Sequence, residues 1–362
     1  MVIFLVSELN PSDLTTSLMR TAQRKNLPVK VFYICKKNEK LIHPGLKTVT
    51  LDGCFNAANI KMQFVTALKL IKLFVLHRPA SIYCSGRIAT IFGILLARIC
   101  LIPNRVFTRH HGVEIQTSPS VLPKFLEYLV NRSATKIVAI SSLSTKILIS
   151  EGVDPTKIYQ VYNGIDLERA LAIRKLREST TIRGEKFPVI GVVSRLTQWK
   201  GVQFTASAFT KILELFPNAR LEIYGSKMDS YDEVLTLLSK LPSNSYEFYE
   251  PDDDVFTKFQ RFDIFVHVPI EEDTEAFGLV YLEALATGVP SIFTCSGILR
   301  EFDPGSAAVK VPFKDSQGIE STVVRLMARD LEEFIPMQVS KLEQFDLKKT
   351  TEKYLTLLFQ QE

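Results

Sequence analysis

Short β-branched runs alternate with longer helical patterns along almost the whole chain, and this rhythm limits the fold more than any other feature. Strand-like runs at 2–6 (VIFLV), 29–34 (VKVFYI), 81–84 (SIYC), 105–110 (RVFTRH), 136–140 (KIVAI) and 158–163 (IYQVYN) are separated by helical patterns at 12–25, 58–76, 86–100, 121–132 and 142–150. Such alternation predicts a parallel sheet with helices on its faces. The rhythm breaks once, at 167–187, a highly charged stretch with no strand signal. It restarts at 188–193 (PVIGVV) and continues through strands at 220–225, 246–250, 262–268 and 290–294, with helices at 201–216, 230–240, 254–261 and 279–287. The expectation is two doubly wound, Rossmann-like α/β domains, 1–184 and 185–338, and a helix within 339–362 that can cross back to the first domain. Two such domains on one linker face a cleft, and ligands collect outside the carboxyl ends of the strands.

At about 150 residues per domain, 362 residues also suggest two domains. A composition 46% hydrophobic and 23% charged excludes a disordered or fibrous chain. The net charge of +5 permits anionic substrates or an acidic membrane surface but does not argue for nucleic acid. Five scattered cysteines without a CxxC pair read as reduced thiols of a cytoplasmic protein. The opening MVIFLV is too short for a secretory signal, and the most apolar stretch, 60–77, is interrupted by Lys61, Gln63, Lys69 and Lys72. In that stretch Phe64, Leu68, Ile71 and Val75 form one stripe, expected to face the core. The alternative is a basic helix lying on lipid.

The sharpest chemical signal is Glu275-Ala-Phe-Gly-Leu-Val-Tyr-Leu-Glu283, a polar loop after the strand 262–268 that turns into a helix at Gly278. Eight helical steps span ~12 Å, about the distance from sugar to ribose in an extended nucleotide-sugar. Between the carboxylates lies a helix N-terminus, whose free N–H groups favour a phosphate. Either glutamate alone reads as an ordinary surface charge; the two together, with Phe277 and Gly278 between them, do not. The second signal is Ser194-Arg195-Leu196-Thr197-Gln198-Trp199-Lys200-Gly201, directly after the strand VIGVV. A guanidinium fork and a compact ammonium at a strand's carboxyl end suit a diphosphate. For a single loop, two solvated cations would be the ordinary reading.

These residues resemble the retaining, GT-B-type glycosyltransferases of family four, the glycosyl transferases group 1 family, whose hallmark is Glu-x7-Glu with Phe-Gly inside it. Asn163-Gly164-Ile165-Asp166, Ile140-Ser141, Tyr224-Gly225 and Glu283-Ala-Leu-Ala-Thr-Gly288-Val-Pro290 match as well. Where the family has a Gly-Gly loop after the first strand, this chain reads Ser7-Glu8-Leu9-Asn10-Pro11. The resemblance implies that a sugar moves from a nucleotide-diphosphate-sugar to a glycan or lipid-linked acceptor of cell-surface polysaccharide or lipopolysaccharide biosynthesis, with retention at the anomeric carbon. Arg195 and Lys200 would neutralise the departing diphosphate, with Phe277, Gly278 and Leu279 at the helix start beside it. Glu283 would hold the ribose, Glu275 would face the donor sugar, and His111, or else His110, would close over that sugar.

No cofactor is expected. The run Asp252-Asp253-Asp254 follows Pro251 and precedes a helix, so N-capping accounts for it without a metal. His267 falls within a strand pattern and reads as a core histidine. Other GT-B chemistry, a sugar-nucleotide epimerase or a phosphorylase, and a non-catalytic partner subunit are the rival readings. Contact with the cytoplasmic face of a membrane is compatible with the acceptor class.

Overall fold

The structure is a computed structural model that describes residues 1–7, 14–34, 48–51, 60–110, 120–179, 188–251, 254–328 and 334–359. It divides into two units, one of residues 1–164 and 347–362 and the other of 165–346. The first holds a seven-stranded sheet in the order β3-β2-β1-β4-β5-β6-β7. Its strands are β1 (Val2–Val6), β2 (Val29–Ile34), β3 (Thr48–Leu51), β4 (Ser81–Ser85), β5 (Asn104–Arg109), β6 (Lys136–Ala139) and β7 (Ile158–Gln160). All are parallel to their neighbours, and helices cover both faces, as the alternation requires. The second holds a six-stranded parallel sheet in the order β10-β9-β8-β11-β12-β13. Its strands are β8 (Val189–Val193), β9 (Arg220–Tyr224), β10 (Tyr246–Tyr249), β11 (Ile264–His267), β12 (Ser291–Phe293) and β13 (Ala308–Lys310).

The expected boundary after residue 184 is corrected to Gly164/Ile165, inside Asn163-Gly164-Ile165-Asp166. The charged stretch beyond it is not a bare linker: Leu167–Ser179 is a helix that buries Leu167, Ala170 and Ile173 in the second unit. Its arginines bind oxygens of that unit, two of the three on backbone carbonyls and one on a carboxylate. Arg177 donates to the Phe259 and Phe262 oxygens at 2.5 and 2.7 Å, Arg174 donates to that of Met337 at 2.7 Å, and Arg169 pairs with Asp254 at 2.5 Å. The final helix, Leu347–Phe359, belongs to the first unit. Its buried Tyr354 shares the Thr108 hydroxyl with Tyr83, at 3.0 and 2.9 Å.

A second correction concerns the helix Ile60–His77. Thr66, Leu70, Leu73 and Phe74 are buried, while Phe64, Leu68 and Val75 of the expected core stripe face outward. The two arcs differ by two residues, about 200° of helix rotation. The helix is apolar nearly all round, so its pattern alone does not select the buried side. Among the described residues no helix is long and apolar enough to cross a membrane.

Candidate functional site

In the second unit the sheet order reverses between β8 and β11, so the chain leaves these adjacent strands in opposite directions and opens a crevice at their carboxyl ends. The loops that follow them are the two the sequence singled out.

The loop after β8 is held on both sides. Ser194 N–H donates to the Tyr224 carbonyl at 2.9 Å and Leu196 N–H to that of Ser226 at 3.0 Å. Ile270 N–H, from the loop after β11, donates to the Trp199 carbonyl at 3.0 Å. Gly201 ends the loop at φ +72°, where a Cβ would lie 2.0 Å from the Val268 oxygen, so only glycine allows this approach to β11. The close fit carries Lys200 to the far side of the crevice. Its ammonium pairs with Glu275 and sits 4.4 Å from the Trp199 ring, while the exposed Arg195 guanidinium lies 5.9 Å from the same ring.

The loop after β11 carries Glu275. Thr294 Oγ1 donates to the Pro269 carbonyl at 2.8 Å, and Arg300 ties the loop down through Glu272 and Asp273. Phe277 is buried, packs against Phe345, and accepts a 2.8 Å bond from Ile298 N–H. Gly278, at φ +77°, then turns the chain into the helix Leu279–Thr287. This corrects the expected ~12 Å helical span between the glutamates: only the part from Leu279 to Glu283 is helical, because the left-handed turn at Gly278 separates Glu275 from the helix.

Glu275 is buried. Desolvation alone would raise its pKa, but the Lys200 ammonium and a hydrogen bond from His267 outweigh it and hold the carboxyl at about 2. Lys200 and His267 Nε2 (3.4 Å) both engage Oε2, and Oε1 has no partner among the described residues. His267, buried at the end of β11, is pushed down to about 4, chiefly by desolvation, and is therefore neutral at pH 7. Its ring meets the edge of the buried Tyr281 at 4.8 Å, and Tyr281 in turn bonds Ser296 through its hydroxyl at 2.6 Å. His267 is the buried strand histidine the sequence leads one to expect, and the partner that satisfies it is the Glu275 carboxylate. Ile264, Val266 and Val268 enter the apolar core, which leaves the last strand residue of the other parity at the carboxyl end. A polar residue there, just before the loop, was the signal.

Glu283 contrasts with it. No cation or hydrogen-bond donor among the described residues reaches its carboxylate, and desolvation pushes it up to about 7. It stands one turn into the helix Leu279–Thr287, whose Leu279 and Val280 N–H groups helix geometry leaves unbonded. Arg195, Lys200, Glu275, Phe277, Gly278, Leu279 and Glu283 therefore share one unit and one sheet edge. His110, exposed, follows β5 in the first unit. His111, residues 8–11, Asp252 and Asp253 lie outside the described residues. Asp254 caps the helix Val255–Phe259, accepting from Thr257 N–H.

Comparison with known proteins agrees with this arrangement. The family model for glycosyl transferases group 1 matches residues 187–329, and that for glycosyltransferase family 4 matches residues 14–169. A mannosylfructose-phosphate synthase of Agrobacterium fabrum is 23% identical over 55% of this chain, and the match spans about half, 46%, of that protein. The Staphylococcus aureus capsular polysaccharide biosynthesis glycosyltransferase CapM is 28% identical over 72% of this chain and 70% of its own length. The crystal structure of Anabaena Alr3699/HepE in complex with UDP and glucose superposes with a TM-score of 0.78 at 18% identity, covering 98% of both chains. The likeness is one of GT-B fold.

Proposed function

The chain belongs to the glycosyl transferases group 1 family, and from that premise we propose that it moves a sugar from a nucleotide-diphosphate-sugar to a glycan or lipid-linked acceptor, with retention of configuration and without a metal. The observation that carries this reading is the pair of open valences at the carboxyl end of one sheet: among the described residues Glu275 Oε1 and the whole Glu283 carboxylate lack partners, while Lys200 and Arg195 stand on the neighbouring loop.

Glu275 Oε1 accepts from donor-sugar hydroxyls. Its charge, held by Lys200 and His267, faces the positive charge that builds at the anomeric carbon as the bond to the diphosphate breaks. Lys200 uses one of its three ammonium protons on Glu275, which leaves others for a phosphate oxygen. Arg195 and the N–H groups at Leu279 and Val280 bind the remaining diphosphate charge. Glu283 accepts from the ribose hydroxyls. The acceptor attacks the face that the diphosphate leaves, and a phosphate oxygen takes its proton. His267 is a positioning residue that keeps Glu275 oriented. The UDP and glucose of the Anabaena complex support a uridine donor, and CapM supports a polysaccharide acceptor.

The test is calorimetric titration with UDP, GDP, ADP and dTDP, followed by NMR of the product formed from the sugar of the base that binds. One nucleoside diphosphate binding well above the others, and an axial donor bond conserved in the product, is the expected result. Binding of none sinks the proposal, and conversion of the nucleotide-sugar without an acceptor replaces it with an epimerase.

A further inference from the structure

The net charge of +5 conceals a large division. Residues 1–164 and 347–362 carry 24 Lys and Arg against 10 Asp and Glu, a net +14, whereas residues 165–346 carry 20 against 29, a net −9. Within the first unit, residues 53–113 contain eight Lys and Arg and no Asp or Glu. Three of these cations, Lys61, Lys69 and Lys72, are exposed on the helix Ile60–His77.

That helix is also apolar on its outer side. On the helix Ile60–His77 the outward arc carries Phe64, Val65, Leu68, Val75 and Leu76, between 46% and 72% exposed, interleaved with the exposed Lys61, Lys69 and Lys72. The helix Arg87–Ile99 packs against both this helix and Val121–Ser133. The latter presents Val121, Leu122, Phe125 and Tyr128, between 50% and 77% exposed, around Lys124. Exposed apolar surface this extensive marks a docking face, and its charge identifies the partner. Protruding apolar side chains among lysines match an anionic bilayer, since the one acid of these two helices, Glu127, is paired with the buried Arg109: the apolar groups enter the acyl boundary while lysine stems lie along it and their heads reach the phosphates. Pairing with the same face of a second copy would set like charges against each other.

We propose that the face built by the helices Ile60–His77 and Val121–Ser133 docks on an anionic lipid surface. This deepens the reading above, since it brings the enzyme to a lipid-linked acceptor and so rests on that reading for its purpose. The measurement itself involves no sugar transfer.

The test is flotation of the full chain with vesicles of phosphatidylcholine alone and of phosphatidylcholine with about a third phosphatidylglycerol, the mixture that supplies negative surface potential. The chain is expected to bind the mixed vesicles at least tenfold more tightly, and less so as salt is raised. The double variants Phe64→Ser/Leu68→Ser and Lys61→Glu/Lys72→Glu each lower that binding at least tenfold, with circular dichroism and nucleoside-diphosphate affinity unchanged. The pair Leu176→Ser/Leu215→Ser, on exposed apolar sites of the second unit, leaves it unchanged. Wild-type chain that binds neither vesicle, or helix variants that bind as wild type, overturns the proposal. So does a dimer in solution that the Phe64→Ser/Leu68→Ser change dissociates, which would make the face a protein interface. Vesicle binding by a chain that binds no nucleoside diphosphate leaves this proposal standing and removes the functional one.

Discussion

Glu275 and Glu283 are the same residue type at the two ends of one short segment, and burial acts on them with opposite outcomes. Before the helix, an ammonium and an imidazole meet the Glu275 carboxylate, which stays ionised to about 2. One turn into the helix, nothing among the described residues meets Glu283, and desolvation carries it up to about 7. The difference fits the two roles proposed for these residues. A charge that must act on a developing positive centre is fixed in advance by its own donors. A charge that only has to grip hydroxyls is left open, and the ligand supplies the missing hydrogen bonds.

The hardest blow to this contrast is Glu275→Gln. Turnover should fall about 100- to 1,000-fold, the usual loss of a charge that acts in the transition state, while nucleoside-diphosphate affinity measured by calorimetry changes only a few-fold. If affinity is lost instead and turnover spared, the donor lies the other way round.

Lys200→Ala comes next. It leaves Glu275 buried with His267 alone, and breaking such a pair costs about 3 kcal/mol, read as a lower melting temperature. Combined with Glu275→Gln the loss should be less than additive; strict additivity would mean the pair is not coupled. The acid side carries the same signature. Glu275, at about 2, and His267, at about 4, both bind fewer protons folded than their ordinary values of 4.5 and 6.5 imply for the unfolded chain. Their stabilisation is complete above about 6.5, and it is lost first as pH falls towards 4 and then towards 2.

Glu283→Gln should show the opposite sign. The folded chain keeps the Glu283 proton up to about 7, whereas the ordinary value is 4.5, so wild type loses stability as pH rises through that window. The variant should equal wild type near pH 4 and exceed it by about 1–3 kcal/mol at pH 8, while binding nucleoside diphosphate about tenfold more weakly. A variant no more stable than wild type at pH 8 would show that the carboxylate has a hidden partner.

Arg195→Ala should weaken diphosphate binding about tenfold, one charge-assisted contact, with the melting temperature unchanged because the side chain is exposed. The smallest effect is expected from chelation. Excess EDTA should leave turnover unaltered, and a loss restored by Mn²⁺ would bring Asp252 to Asp254 back as ligands.

Both sheets were legible because each strand and helix has its own period, and because parallel strands buried on two faces read as unbroken apolar runs. Thr48–Leu51 escaped notice as a four-residue edge strand. The charged helix Leu167–Ser179 misled for a different reason: its arginines serve oxygens of the second unit, and composition does not show whom a cation serves. The turn Asn163-Gly164-Ile165-Asp166 marked the true division more closely than charge did. At the site, spacing along the chain was legible, but partnership was not. That Lys200 and His267 meet on one oxygen depends on the order β8-β11 and on the approach of Gly201 to Val268.

Trp199 is the one tryptophan of the chain. Its carbonyl is tied to the loop after β11, and its indole has a cation 4.4 Å away on Lys200 and another 5.9 Å away on Arg195. Every photon emitted at indole wavelengths under selective excitation therefore originates beside the proposed diphosphate position. A ligand that draws either cation towards its phosphates changes the field across the ring and shifts the emission. The protein thus carries its own optical gauge of donor arrival, readable without label, acceptor or turnover.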